Sequence, residues 1–461
     1  MDKTLKDFLS LAQLLLENEK ISPVAKFIPA KEMFDRVDLS LHYNPMDEQE
    51  YYEKLKELIN HSTKTSSNAF FNQLYGGRNE KAVLGELLSV LLNNSMYTYK
   101  AAGIQVGVEK ITLREVCNII GWDERSDGTY ASGGSMTNLM SMITARDAFR
   151  SSIRFNGIED KLTVYTSVES HFSIPKNAAF IGIGKKNVRL IPTNKKGEMD
   201  VAYLEKAIQK DMQSGFHPIM VNATAGTTVL GAFDPVEAIS KICKQYRIWL
   251  HVDGAYCGAV IFSKKYKYLI KGLENADSFS FNPHKMFGTP LTCSIYVVKN
   301  KEHLYNSFSV EADYLFQTEE DEYNPGKTSL QCGRRNDALK FWTLWKSVGT
   351  NGLETIVDHE FELADTAREY IRKHADYTLY SFDHSISICF NYKNIPAKEI
   401  CEKLYQEAQL MVSYGSYQGQ EFIRLVTING QNSSEDILAF FEKFEAFAKK
   451  HYMNTLEKVH S

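Results

Sequence analysis

The sequence carries little net charge and contains no long apolar run. A formal net charge of −4 over 461 residues gives no electrostatic reason to expect nucleic acid or an anionic membrane as a partner. No apolar stretch is long enough to cross a bilayer, and the N-terminal stretch lacks the pattern of a secretory signal peptide. We therefore expect a cytoplasmic protein without nucleic-acid or membrane partners.

Cysteine is also sparse. The seven cysteines are an odd number, and no two of them form a Cys-x-x-Cys pair. This pattern argues against a disulfide framework and against a zinc site. The expectation is therefore reduced thiols and no metal.

The apolar pattern divides the chain into three parts. Residues 1–62 are polar-faced helical stretches interrupted by prolines, which is typical of an arm. In 63–345 short apolar strands alternate with helices, which predicts an α/β domain with a mainly parallel sheet. Residues 346–461 change to the pattern of a small C-terminal α+β domain. The clearest strands predicted in the large domain are 162–166, 219–222, 248–252, 278–281 and 293–298.

Two charged residues follow apolar strands of the predicted sheet. Lys285 ends the stretch Asn282-Pro283-His284-Lys285, directly after a short strand, and a lysine there can form a Schiff base. Asp253 ends another strand about thirty residues earlier, the length of one βαβ unit. An aldehyde-binding lysine and a carboxylate that keeps a pyridine nitrogen protonated are what pyridoxal 5′-phosphate (PLP) requires. The alternatives are an exposed lysine and a helix-capping aspartate.

Three further positions fit the same cofactor. The glycines before Ser135 open a helix whose free amides can hold a phosphate, although such a pair is also a common plain turn. His171 follows a strand and can stack on the cofactor ring, or serve as a hydrogen-bonded structural residue. Thr224 lies on a small-residue turn and can reach the phenolic oxygen of PLP, or satisfy the turn itself. The order of all five positions along the chain favours the cofactor site.

At this point the chain resembles the PLP-dependent group II amino-acid decarboxylases of the glutamate, cysteinesulfinate and aspartate type. The resemblance runs from about residue 70 to 346 and continues more weakly to the C-terminus. It implies the aspartate-aminotransferase fold (fold type I) and a homodimer with active sites at the subunit interface. The motifs that carry it are Phe70-Phe71-Asn72-Gln73-Leu74, Thr98-Tyr99, Asn222-Ala223-Thr224-Ala225-Gly226-Thr227-Thr228, Gly231-Ala232-Phe233-Asp234-Pro235, Asn282-Pro283-His284-Lys285, Tyr314-Leu315-Phe316-Gln317 and Gln331-Cys332-Gly333-Arg334.

The resemblance also implies roles for individual residues. Lys285 would carry the cofactor as a Schiff base, Asp253 would pair with its pyridine nitrogen, and His171 would stack on its ring and take part in catalysis. Tyr323, in a loop that moves, would protonate the substrate carbon after carbon dioxide leaves. The remaining cofactor residues would be Ser135, the amide of Met136, Thr224, Ala255, Asn282 and His284. Substrate would be bound by Gln73, Tyr75 and Arg424, the last gripping its carboxylate.

Tyr75 bears on the choice of substrate. Glutamate-selective members of the family have a small residue here, whereas the cysteinesulfinate and aspartate enzymes have an aromatic ring. The resemblance thus implies decarboxylation of aspartate to β-alanine, of cysteinesulfinate to hypotaurine, or of both. Thr292, Lys100 and Gly103 depart from the family pattern near the substrate, so glutamate and other amino acids stay open. An aminotransferase, a carbon-carbon lyase and a non-catalytic dimeric homologue stay open as well.

Overall fold

The computed structural model describes residues 2–311, 316, 321–407 and 410–453. The α-helices in these ranges are α1 (Asp2–Ile21), α2 (Met33–Arg36), α3 (Glu48–His61), α4 (Glu80–Leu92), α5 (Tyr99–Ala102), α6 (Gln105–Ile120), α7 (Gly134–Phe149), α8 (Ile153–Asn156), α9 (Ser173–Phe180), α10 (Val201–Gln213), α11 (Val236–Tyr246), α12 (Glu302–Phe308), α13 (Ala338–Lys373), α14 (Ala397–Gln406) and α15 (Ser434–Ala448). The strands are β1 (Phe70–Phe71), β2 (Asp127–Ala131), β3 (Leu162–Ser167), β4 (Val188–Ile191), β5 (His217–Thr224), β6 (Trp249–Gly254), β7 (Ser278–Phe281), β8 (Ser294–Val298), β9 (Tyr377–Leu379), β10 (Ser387–Tyr392), β11 (Met411–Tyr417) and β12 (Gln420–Val426).

The chain divides into two compact units. The first unit takes its described residues from 1–77, 362–381 and 387–461, and the second from 78–361 and 382–386. The sequence-based boundaries at 62 and 345 remain predictions.

The second unit is built on a seven-stranded sheet in the order β2-β8-β7-β6-β5-β3-β4. Every strand in it runs parallel to the others except β8, which is antiparallel to β7 and β2. Every residue of β3, β6 and β7 is buried, as expected of strands that have helices on both faces. The predicted mainly parallel sheet is therefore confirmed, and β3, β5, β6, β7 and β8 lie at the predicted strand positions.

The connecting helices have clear sequence causes. Asp200 caps α10 by accepting a hydrogen bond from the amide of Tyr203. The next helix, α11, buries a stripe at Val236, Ile239 and Cys243, spaced three and four residues apart, against the sheet. Helix α11 connects the neighbouring parallel strands β5 and β6, whereas α10 leads from β4 to β5, which lie on either side of β3. Both helices lead the chain back to the same edge of the sheet.

The first unit contains a five-stranded sheet in the order β1-β11-β12-β10-β9. Phe70 pairs with Met411 where β1 joins β11 in parallel, whereas the other strands are antiparallel. Helix α15 covers this sheet with an aromatic face: the rings of Phe441 and Phe444 lie 5.9 and 5.8 Å from that of Phe390. This packing explains why an aromatic helix follows the last strand.

All seven cysteines are free; Cys332 is exposed and the other six are buried. None of the helices within the described ranges combines the length and the apolar character that crossing a membrane requires.

The strand register brings polar residues together at one edge of the large sheet. Thr224, at the end of β5, is paired with Asp253 on β6, and Asp253 with Ser280 on β7. Since carboxyl ends of parallel strands meet at the same edge, the segments that follow β3, β5, β6 and β7 converge there.

Candidate active site

A cavity of about 150 Å³ lies at this edge, within the second unit. It contains both charged residues singled out in the sequence, Asp253 and Lys285, together with His171 and Thr224. Residues more than a hundred positions apart in the chain thus line one small space. The full lining is Gly134, Ser135, Asn138, His171, Thr224, Gly226, Thr228, Asp253, Ala255, Tyr256, Asn282, His284 and Lys285.

Lys285 enters the cavity from the turn that follows β7. Its amide donates a hydrogen bond to the carbonyl of Asn282 at 2.9 Å, which closes the turn. The ammonium nitrogen Nζ lies 5.8 Å from the centre of the Tyr256 ring. The side chain is half-buried, so its amine lies inside the protein and can still be approached.

Asp253 lies on β6 and its side chain is almost completely buried. Both carboxylate oxygens are held: Oδ1 accepts the amide N–H of Ala255 at 3.0 Å, and Oδ2 accepts the side-chain N–H of Asn138 at 2.8 Å. A buried carboxylate needs such partners, because leaving water without them costs several kcal/mol. The carboxylate therefore has a fixed orientation in the cavity wall.

His171 follows β3 and is half-buried. Its ring nitrogen Nδ1 lies 2.8 Å from the hydroxyl oxygen of Ser173. Burial lowers the pKa of His171 below its usual value, and the charge of Lys285 adds to this, whereas that of Asp253 opposes it. The ring is therefore neutral at pH 7. A neutral imidazole could stack on the protonated pyridine ring of PLP without charge repulsion.

Thr224 is held by a residue whose role the sequence did not reveal. Asp234 accepts the amide N–H of Thr224 at 2.8 Å through Oδ2 and that of Met199 at 2.7 Å through Oδ1. Burial raises the pKa of Asp234 to about 7, although the two amide donors oppose the rise. The next turn residue, Gly226, has φ +91°, and a Cβ there would lie 2.5 Å from the sulfur of Cys257. The turn is therefore held by the hydrogen bond from Thr224 to Asp234 and by the close packing of Gly226 against Cys257.

The start of α7 closes another wall. A Cβ on Gly134 would lie 3.0 Å from the Cβ of Ala255 and 3.2 Å from Nδ2 of Asn282, so glycine permits this close approach. Ser135 lines the cavity beside it, whereas the amide of Met136 donates to the carbonyl of Gly133 at 3.0 Å.

His284 lies on the turn before Lys285 and also lines the cavity. Nδ1 of His284 lies 2.7 Å from the carbonyl oxygen and 2.9 Å from the amide nitrogen of Cys293, and burial lowers the pKa of the ring to about 3. The ring is therefore neutral.

These residues fit PLP. Thr224 Oγ1 and Asn282 Oδ1 are buried in the cavity wall and have no hydrogen-bond partner among the described residues, as expected of groups that wait for a ligand. Lys285 would bind the aldehyde, Asp253 the pyridine nitrogen, and the start of α7 the phosphate. Within the described residues, no group of three or more His, Cys, Asp or Glu side chains is arranged to hold a metal ion.

The residues predicted to bind substrate lie in the first unit. Arg424, on β12, donates from Nε to the hydroxyl of Ser413 at 2.9 Å and from Nη2 to the carbonyl of Asn72 at 3.2 Å. Gln73, next to that carbonyl, is exposed, and the half-buried Tyr75 has its ring 6.2 Å from that of Phe70. The structure therefore brings Arg424 to the segment that carries Gln73 and Tyr75.

Tyr323 ends a short helical turn and is 40% exposed. Its ring lies 6.2 Å from that of Tyr99, edge to face. The neighbouring Asn324 accepts the amide N–H of Tyr99 at 3.0 Å, and the amide of Gly326 donates to the carbonyl of Tyr97 at 2.8 Å. The chain after Tyr323 is therefore anchored, whereas 317–320 and the motif residues Tyr314, Leu315 and Gln317 lie outside the described residues.

Of the positions where the chain departs from the family pattern, Thr292 has the clearest setting. Its carbonyl accepts a hydrogen bond from Nζ of Lys340 at 2.9 Å, and that buried ammonium also pairs with Glu86 and Asp337 at 2.6 and 2.9 Å. The backbone at Thr292 is therefore fixed by a buried charge cluster.

Comparisons with known proteins agree with the site. Residues 30–393 match the model of the pyridoxal-dependent decarboxylase conserved domain. The chain is 35% identical over 456 residues to the acidic amino acid decarboxylase GADL1 of Bos taurus, covering 94% of this chain and 87% of the relative. The corresponding Homo sapiens protein is 34% identical with the same coverage. The crystal structure of mouse CSAD is 30% identical, with a TM-score of 0.92 over 97% of this chain and 98% of that one.

Proposed function

The chain belongs to the pyridoxal-dependent decarboxylases, and we propose that it removes the α-carboxylate of a short acidic amino acid, aspartate or cysteinesulfinate. It is a PLP-dependent amino-acid decarboxylase with the α/β architecture of fold type I. The observation that carries the proposal is the meeting of Lys285 and Asp253 in one small cavity at the ends of β6 and β7.

When bound, PLP supplies an electron sink that lets the bond to the α-carboxylate break. The residues of this chain serve that chemistry in distinct ways. Lys285 would hold the cofactor through its aldehyde, and Asp253 would keep the ring nitrogen protonated. His171 lies as a neutral ring in the cavity wall, while Ser135, Asn282 and the residues near them would bind the phosphate. Tyr323 delivers a proton to the substrate carbon.

Three observations support a short acidic substrate. Relatives about one third identical over almost the whole chain are named acidic amino acid decarboxylases. Arg424 offers a guanidinium, which can grip a carboxylate or a sulfinate with two parallel hydrogen bonds. The resemblance to the family implies that the aromatic ring of Tyr75 would fill the space that a longer substrate side chain needs. Glutamate, with one more methylene than aspartate, is the second candidate.

The test measures release of carbon dioxide and amine from each proteinogenic amino acid and from cysteinesulfinate. We expect the highest kcat/KM for cysteinesulfinate or aspartate. Release of keto acid or aldehyde without carbon dioxide would favour an aminotransferase or a lyase instead. Absence of turnover, with the cofactor bound, would favour a non-catalytic homologue.

The attachment site of the cofactor can be tested separately. After reduction with borohydride, mass spectrometry should find the pyridoxyl group on Lys285. Lys285→Ala should abolish this adduct and the associated absorbance, whereas Lys271→Ala, a change at a mostly exposed lysine, should preserve both. A pyridoxyl group on another lysine of the parent protein would contradict the assignment.

We further propose that the protein is a homodimer and that α4 contributes to its interface. This helix buries only small residues, Ala82, Gly85 and Ser89, and exposes large apolar ones. A row of exposed large apolar residues along one helix is typical of a face covered by another chain, and closed two-fold dimers are the commonest assembly. The exposed residues are Leu84, Leu87, Leu88, Val90, Leu91 and Leu92.

Light scattering with size exclusion tests this interface. The double change Leu88→Glu and Leu91→Glu should produce a monomer with impaired turnover, since active sites are expected at the interface. Phe155→Glu, which alters an exposed apolar residue on α8, should remain dimeric. A dimeric double variant would show that α4 is not the contact.

A further inference from the structure

Asn138 is a buried cavity residue to which no role was assigned from the sequence. It lies on α7 three residues after Ser135, on the same face of the helix, and is 1% exposed. Its side-chain nitrogen Nδ2 lies 2.8 Å from Oδ2 of Asp253 and 3.0 Å from Oγ of Ser173. Its oxygen Oδ1 lies 3.3 Å from Nε2 of His251. One amide therefore contacts three polar side chains from three segments.

The chemistry of these partners fixes the direction of each hydrogen bond. An ionised carboxylate only accepts, so the N–H₂ end of Asn138 must face Asp253 and the oxygen must face His251. His251 must then carry its proton on Nε2, which also lies 3.5 Å from the hydroxyl oxygen of Ser280, a second acceptor for that proton. Its Nδ1 is left to accept the hydroxyl proton of Ser278 at 2.9 Å, and that hydroxyl in turn accepts the indole N–H of Trp249 at 2.9 Å.

Burial keeps this chain of bonds in one state. The pKa of the completely buried His251 is lowered to about 4 by its burial, so the ring is neutral at pH 7. Reversing the Asn138 amide would place its oxygen against the Asp253 carboxylate and leave two acceptors facing each other. A buried network with every donor paired has a single favourable arrangement, and breaking one bond leaves an unsatisfied group.

The second branch of the network reaches His171. Ser173 Oγ accepts from Asn138, so its own proton is free to go to Nδ1 of His171 at 2.8 Å. The amide of Ser173 also donates to the same nitrogen at 3.2 Å. Nδ1 is therefore an acceptor, and the neutral His171 ring carries its proton on Nε2.

From this geometry we infer that Asn138 is a positioning residue that holds the Asp253 carboxylate towards the pyridine nitrogen of PLP and sets the tautomer of His171 through Ser173. The inference goes beyond the proposed function and depends on one part of it, the pairing of Asp253 with the ring nitrogen. It predicts that the Asn138 amide affects cofactor binding only when that nitrogen is present.

A cofactor analogue separates positioning from general support of the fold. The apoproteins of the parent, Asn138→Leu and Asn138→Ala are titrated with PLP and with its 1-deaza analogue, which has carbon in place of the pyridine nitrogen. Dissociation constants are read from the quenching of tryptophan fluorescence. Ser141→Ala is the matched control, because this buried hydroxyl on α7 donates only to the carbonyl of Asn138 within its own helix.

We expect both Asn138 variants to bind PLP about tenfold more weakly than the parent, the size of one hydrogen bond to a charged group. They should bind the deaza analogue as tightly as the parent does. Ser141→Ala should match the parent with both ligands. Equally weakened binding of PLP and of the deaza analogue would overturn the inference. Failure of both Asn138 variants to give folded apoprotein would also overturn it, since Asn138 would then support only the fold. Failure of the parent to bind PLP at Lys285 would refute the proposed function instead.

The His171 branch has its own readout. In protein labelled with ¹⁵N-histidine, the imidazole shifts of His171, assigned from a His171→Phe variant, should show protonation on Nε2. Ser173→Ala should move them towards the other tautomer. Unchanged shifts would show that the Ser173 hydroxyl does not determine the tautomer of His171.

Discussion

Gly226 gives a prediction whose magnitude follows from the structure. It has φ +91°, and a Cβ built there would lie 2.5 Å from the sulfur and 2.7 Å from the Cβ of Cys257. Gly226→Ala therefore incurs about 1 to 2 kcal/mol for a left-handed backbone and about 1 to 3 kcal/mol for overpacking. We expect the free energy of unfolding to fall by about 2 to 5 kcal/mol.

Gly121 is a matched control because it has φ +97° and nothing within 4 Å of the Cβ position. Gly121→Ala should show the backbone cost alone, about 1 to 2 kcal/mol. All four tryptophans lie between residues 78 and 361, so tryptophan fluorescence during urea unfolding of the apoprotein reports on the second unit. If Gly226→Ala costs no more than Gly121→Ala, the packing argument is wrong.

A double-mutant cycle checks the contact itself. Cys257→Gly removes the two closest atoms that the new methyl group would meet and leaves the backbone nitrogen at 3.1 Å, so the double variant should be less destabilised than the two single variants predict together. We expect a coupling energy of about 1 to 3 kcal/mol between the two positions. Additive effects would show that Cys257 does not restrict the turn.

Three further predictions concern substrate and turnover. The parent should favour aspartate or cysteinesulfinate over glutamate about tenfold or more, since one methylene is worth about 1 to 3 kcal/mol, and Tyr75→Ser should move the preference towards glutamate. Equal or better turnover of glutamate by the parent would refute this prediction. Arg424→Lys should raise KM and leave the cofactor absorbance unchanged, because a lysine offers only a point charge, whereas loss of cofactor or fold would favour a structural role. With oxygen excluded, Tyr323→Phe should release an aldehyde that the parent hardly makes, because the substrate carbon would lack its proton donor. Ordinary amine formation at the parent rate would show that another group donates the proton, with His171 the next candidate.

The local sequence determined which strands form and which residues stand at their ends. The buried strands β3, β5, β6 and β7 are short apolar runs, and Asp253 and Lys285 are recognisable because charged residues at such ends are unusual. Strands β1, β2, β4 and β11 were not predicted. β4 has two of its four residues outside the buried class, and β11 alternates between half-buried and exposed positions along much of its length, so neither shows a strong apolar run.

The tertiary structure decided which side chains meet. Asn138 and Asp253 are 115 residues apart, and their contact depends on how α7 packs against the end of β6. Asp234 holds Thr224 only because the chain turns back after β5. A hydrogen bond requires its donor and acceptor atoms to be positioned to within a few tenths of an ångström, and the local preference of residues for helix or strand does not determine such distances. The sequence alone therefore determined the chemistry available at each strand end, whereas the fold decided how those groups are oriented towards one another.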